Sequence, residues 1–254
     1  MLNTRIRAMA AMILREMTTR YGRSAGGYVW AIIDPVAFIA IFTAIFSQIT
    51  REPALGDSFP LFFATGVIAF NMYRDIADAV GGAFTYNRPL FTYPQVTVLD
   101  AVMARFVLHF LTQIVVAVIV FGALFAWNGE VPLLDVGIVM TAFALAAAIG
   151  LGVGSMNAIL FVVAPTWLNI WSVISRPLFI ISGVFFIPEM LPSAVRDLVL
   201  LNPLTHVIGV MRRGFYPSYD AEYVSWTLAI GFPLLTLAAG LLLTRRHQGR
   251  LIER

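Results

Sequence analysis

A single arginine, Arg176, interrupts the otherwise uncharged stretch 167–187 of this 254-residue chain. A guanidinium at the centre of a bilayer costs from roughly 3 to more than 10 kcal/mol, so it should face protein, water or an anionic ligand rather than lipid. Three readings fit such a residue: lining a wet pathway, pairing with a buried carboxylate such as Asp34 or Asp78, or snorkelling to the interface if the span is shifted. Aromatic spacing is the second signal. Trp30, Phe38, Phe42 and Phe46 recur at multiples of four, and Trp167, Trp171 and Phe179 do the same, so each set forms one slanted stripe on a helix. Aromatic faces can stack on sugar rings; they can equally pack against lipid or anchor at its interface, as Trp30 and Trp167 would at the ends of their stretches.

Other chemistry is poorly provided for. His109, His206 and His247 are scattered, no HExxH or paired-carboxylate motif occurs, and Ser155 in Gly152-Val153-Gly154-Ser155 lacks the GxSxG spacing. A membrane-embedded enzyme acting on lipid would have to rely on Asp75 and Asp78, the only nearby acidic pair. All 17 basic residues are arginine and cysteine is absent, which excludes a Walker A lysine, a Schiff-base lysine and a thiolate metal site. The expectation is a chain with no catalytic residue, no metal and no cofactor of its own. Its net charge of +3 is too small and too dispersed for a nucleic-acid face.

The elements that carry these residues are those of a membrane protein. Hydrophobic residues make up 59% and charged residues only 12%, against about a quarter charged in a soluble domain. A helix needs about 20 apolar residues to cross the hydrocarbon core. Uncharged runs predict an all-α fold with six spans: 30–49, 59–73 continuing past Arg74, 106–127, two between 136 and 187 divided at Ala164-Pro165-Thr166, and 223–244. Arg5, Arg7, Arg15, Arg20 and Arg23 at one end, and Arg245, Arg246, Arg250 and Arg254 at the other, place both termini in the cytoplasm by the positive-inside rule.

Three connecting regions stand out in this single transmembrane domain. Over 1–23, Leu2, Ile6, Met9, Ile13 and Met17 recur at spacings of three and four with Arg7 and Arg15 roughly opposite, which predicts an amphipathic helix on the cytoplasmic surface rather than a loose basic tail. The loop 82–100 is polar and marked by Pro89 and Pro94, yet Leu90, Phe91 and Tyr93 are costly to leave wet, which favours a docking partner. Region 186–220, broken by Pro188, Pro192, Pro203 and Pro217, reads as external or re-entrant half-helices, backbone tolerated at membrane depth only when buried in protein or lining a wet cavity.

Leu14-Arg15-Glu16, Arg20-Tyr21-Gly22 and Tyr28-Val29-Trp30-Ala31-Ile32-Ile33-Asp34-Pro35 resemble the approach to the first span in type 2 ABC exporter permeases, especially KpsM-class capsule polysaccharide export inner-membrane proteins. Asn87 to Leu90 with Phe91 to Val96, then Asp100 to Arg105, and Asn202-Pro203-Leu204-Thr205-His206 with Arg212 are similar to that family's coupling loop, third-span start and re-entrant region. Pro94 and Gln95 stand where the family is often basic. The resemblance, which covers nearly the whole chain, implies a homodimer in a bacterial inner membrane bearing two ATP-binding cassette subunits, which supply ATP and Mg. Its implied cargo is a lipid-linked acidic capsular polysaccharide, with O-antigen or teichoic-acid-type polymer as the alternative, and with a periplasmic co-polymerase-like partner and an outer-membrane export partner. It further implies that Phe38, Phe42, Phe46, Trp167, Trp171, Arg176 and Phe179 line the channel, that Arg15, Arg20, Tyr28 and Trp30 form a cytoplasmic gate, and that Asn87, Leu90, Phe91 and Tyr93 couple to the ATPase.

Overall fold

The computed structural model describes residues 10–17, 27–92, 97–129, 133–247 and 249, and among them it is helical throughout, with no strand. A helical segment at 10–17 precedes α1 (Gly27–Ile49), α2 (Phe59–Gly81), the short α3 (Ala83–Asn87), a 3-10 turn (Arg88–Thr92), α4 (Val98–Asn128), α5 (Val136–Val163) and α6 (Thr166–Ile181). A second 3-10 turn (Pro188–Met190), α7 (Ser193–Val199), α8 (Pro203–Phe215) and α9 (Trp226–Arg246) complete the chain. Four helices, 29–49, 98–128, 136–163 and 226–246, are long and apolar enough to cross a bilayer. α7 and α8, bent by 95° to one another, make a fifth candidate if taken together. The other two predicted spans exist as helices, but α2 carries Arg74, Asp75 and Asp78 and α6 has only 16 residues.

Local chemistry sets the ends. Thr97 and Asp100 form a reciprocal capping box, so α4 starts well before the uncharged run at 106 and carries Asp100 and Arg105 inside the helix. Pro165 divides the long uncharged run where expected, between α5 and α6. α6 stops at Ile181 rather than 187, because the chain turns at Gly183, whose φ of +82° suits glycine. The sharp bend between α7 and α8 leaves carbonyls that need partners. Thr205 Oγ1 donates to Val199 O at 3.1 Å, and His206 bonds Leu200 O at 2.9 Å through Nε2 while its Nδ1 accepts from Ser225 N–H at 3.2 Å.

α2 is the central post: every residue from Leu61 to Tyr73 is buried, enclosed by α1, α4, α5 and α8. It meets α5 almost backbone to backbone. A Cβ on Gly154 would lie 2.7 Å from Val80 Cβ and 2.9 Å from Ala77 O, the close approach that small residues permit between membrane helices. By contrast α6 buries none of its residues, and among the described side chains of α1 only Pro35 and Ile39 are buried. The fold is thus a tight core with two loosely held outer helices. Gly154→Val should overpack this contact by about 1–3 kcal/mol or more and lower the apparent Tm in detergent. Gly122→Ala on α4, where nothing lies within 4 Å, should leave it unchanged.

Candidate functional site

The face of α6 that bears Trp171, Arg176 and Phe179 looks across a cleft of about 260 Å³ at Tyr73, Arg74 and Asp78 of α2. Helical spacing explains the grouping, since Trp171, Ser175 and Phe179 lie one turn apart along one edge. Three of the predicted lining residues are therefore brought together. Arg176 is exposed in the isolated chain. Its anticipated partner Asp34 pairs instead with Arg74, at 3.4 Å, and Arg74 Nε also lies 3.8 Å from Asp75. The cleft thus holds two guanidinium groups, one carboxylate and aromatic faces, a surface suited to anionic and sugar-like groups.

The α1 stripe does not stand free. Phe38 stacks on Phe42 with centroids 4.2 Å apart and meets Phe179 edge-on at 5.0 Å. Phe42 and Phe46 continue the cluster to Phe63 and Phe185. Phe38, Phe42 and Phe46 are half-buried and Phe63 is buried. Trp167 is tied down, its indole N–H donating to the buried Asn157 Oδ1 at 2.9 Å, whereas Trp30 is 61% exposed.

At the C-terminal end of α2 the segment 10–17, α3, the 3-10 turn and α4 converge. Met12 is buried against Ala101 and Ala104, with Ile13 and Phe91 packed beside it, so part of the apolar face of this helix rests on protein. Phe91 also meets Phe84 edge-on at 6.3 Å. Asn87 points inward, donating to Ala83 O at 3.0 Å, while Tyr86, Arg88 and Pro89 face outward. Arg15 is exposed; Arg20 and Tyr93 lie outside the described residues, as do the side chains of Tyr28 and Leu90.

Sequence reasoning missed the group that holds this junction. Arg105, 5% exposed, pairs with Glu16 at 2.8 Å, donates to Ala79 O at 2.9 Å and lies 4.9 Å from the centre of the Tyr86 ring. One side chain thereby joins the N-terminal helix, the end of α2, the α3 segment and α4. The available signal was the Thr97–Asp100 capping box, which places Arg105 two turns inside a helix rather than at its flank. Near the start of α2, the fully buried Arg212 plays a comparable part. In the nearby 216–225 loop Tyr219 donates to Glu189 at 3.0 Å. Burial first, then Tyr223 and the Glu189 carboxylate, push the Tyr219 hydroxyl well above its ordinary value, so it stays a donor at neutral pH. Among the described residues no group of three or more acidic or histidine side chains could hold a metal.

Residues 7–216 match the family described as ABC-2 type transporter. The chain belongs to that family. Polysialic acid transport protein KpsM of Escherichia coli is 32% identical over 241 residues, covering 94% of this chain and 92% of that protein. Capsule polysaccharide export inner-membrane protein CtrC of Neisseria meningitidis serogroup A is 26% identical over 242 residues, covering 94% and 91%. Capsule polysaccharide export inner-membrane protein BexB of Haemophilus influenzae is 25% identical over 240 residues, covering 94% and 90%. In this chain the Arg105 junction connects the 83–92 segment to α2, α4 and the N-terminal helix. Glu16→Gln should cost about 2 kcal/mol, and Arg105→Met more, because it removes the bonds to both the Glu16 carboxylate and the Ala79 carbonyl. Thermal unfolding in detergent reads both; an unchanged Tm for Arg105→Met would remove the anchor.

Proposed function

We propose that the chain is the permease subunit of an ATP-driven exporter that moves a lipid-linked acidic capsular polysaccharide across a bacterial inner membrane. The observation that carries this reading is the near full-length similarity to the polysialic acid transport protein and to two capsule export proteins. In this reading α2 and α6 join the four long apolar helices as spans, and α7 with α8 forms the re-entrant pair. Both termini and 83–92 lie on the cytoplasmic side, with the N-terminal helix at the membrane surface.

The chain supplies walls, and energy comes from elsewhere. Two ATP-binding subunits, holding ATP and Mg, dock on a homodimer of this chain at the segment whose outward residues include Tyr86, Arg88 and Pro89. Homodimerisation is supported by α6, which buries no residue within one chain. The conduit runs along α1 and α6, where Phe38, Phe42, Phe46, Trp167, Trp171, Arg176 and Phe179 meet the polymer, and Arg15, Arg20, Tyr28 and Trp30 stand at its cytoplasmic mouth. Half-buried rings suit this task, because a polymer that must slide is stalled by deep hydrogen-bonded pockets, while ring contacts worth about 1 kcal/mol each can be exchanged in turn. Periplasmic and outer-membrane partners would receive the product.

Purified with the products of its neighbouring genes, the chain should carry an ATP-binding subunit whose hydrolysis rises in the complex; no such subunit would contradict the reading. Arg176→Ala and Trp171→Ala should each lower surface polysaccharide severalfold at unchanged protein level. Normal export in both would remove them from the conduit.

A further inference from the structure

The turn over 182–187, which has no regular structure, is nonetheless fastened from three directions. The Ser182 hydroxyl accepts from Asn202 Nδ2 at 3.2 Å. Gly66 of α2 lets the backbone approach, since a Cβ there would lie 3.0 Å from Val184 Cα. Arg212 closes the third side: Nη1 donates to Phe186 O at 2.8 Å and Nη2 to Val184 O at 2.9 Å. Its guanidinium has no exposure and sits 4.2 Å from the centre of the Phe62 ring. Among the described residues it makes no ion pair. A buried cation held by two carbonyls and a ring face, its Nε without a hydrogen-bond partner among the described residues, is costly to keep, and a two-pronged grip of this kind requires the planar fork of arginine.

The two gripped carbonyls flank one residue, Phe185. Its ring lies 4.7 Å from Phe42, 6.1 Å from Phe46 and 6.2 Å from Phe38 on α1, 5.3 Å from Phe179 on α6 and 6.3 Å from Phe63 on α2. Phe185 is therefore where the two aromatic stripes meet. The turn packs on Phe63 and Gly66, near the start of α2, so the meeting point is at the end remote from 83–92. Phe185 is only half-buried, leaving part of its ring turned outward from the core.

We infer that Phe185 is an apolar plug that closes the conduit at its far end, and that Arg212 is the positioning residue that holds it there. This rests on α1 and α6 being the conduit walls. The plug opens when α6 moves and takes Phe179 away from Phe185, while the turn stays fixed to α2 and α8. An interlocked ring cluster excludes water and small solutes in the resting state, as hydrophobic constrictions do in channels.

The test uses the complete complex with its ATP-binding subunits, in vesicles loaded with a small anionic dye. Without ATP, Phe185→Ala should release dye at least about fivefold faster than wild type, Phe185→Trp no faster, and Arg212→Lys at least about twofold faster. The double variant Phe185→Ala with Arg212→Lys should leak no more than Phe185→Ala alone, which a merely structural role for Arg212 would not produce. Should Arg212→Lys lower the protein level, the two Phe185 variants decide alone. Dye retention in Phe185→Ala equal to wild type overturns the plug. Polymer export by the wild-type complex is followed in the same vesicles: export with a tight Phe185→Ala sinks the plug and leaves the exporter reading standing. Absence of wild-type export sinks the exporter reading, whereas a leak in Phe185→Ala still supports closure at this residue.

Discussion

Away from water, a backbone carbonyl or a guanidinium must find its hydrogen-bond partner within the protein, and this constraint organises the chain around α2. Near the end of that helix Arg105 takes the Ala79 carbonyl and the Glu16 carboxylate; near its start Arg212 lies over Phe62 and takes the Val184 and Phe186 carbonyls. Each arginine gathers segments that lie far apart in the sequence. With both ends fastened and Leu61 to Tyr73 buried on every side, α2 is the part of the molecule least free to move.

Against this post the outer helices are held lightly. α6 buries none of its residues and is tied chiefly at its ends, by the Trp167–Asn157 hydrogen bond at one and the fastened 182–187 turn at the other. Its middle faces the cleft that contains Arg176. A transporter needs a fixed frame to receive force and a wall that yields to it, and the distribution of burial supplies both. Force received at 83–92 would pass through Arg105 to the N-terminal helix, so the proposed cytoplasmic mouth and the docking segment share one anchor.

Much of the architecture was legible because lipid imposes long uncharged runs, and Pro165 marks its own break. The ends were less legible. α4 begins early because Thr97 and Asp100 cap each other, and α6 ends early because Gly183 turns the chain. The shared edge of Trp171 and Phe179 could be seen from spacing, and the resemblance added Arg176 to them, but neither showed that Asp34 would be taken by Arg74. In the sequence Arg105 stands just before the uncharged run 106–127, and Arg212 lies within the region broken by prolines. Their burial is a tertiary fact, although Arg212 shares its helix edge with Ile208 and Phe215, an apolar setting that hints at it. Asn87 turned inward for a similar reason: in so short a helix its amide is best met by the Ala83 carbonyl.

The central claim, that α2 separates a docking end from a plugged end on opposite faces of the membrane, is tested most directly by accessibility. The chain has no cysteine, so single substitutions report without background. Arg88→Cys and Arg246→Cys should react with a membrane-impermeant thiol reagent only from the cytoplasmic side, and Asp57→Cys and Glu222→Cys only from the outside. Reaction of Arg88→Cys and Glu222→Cys from the same face would contradict the account.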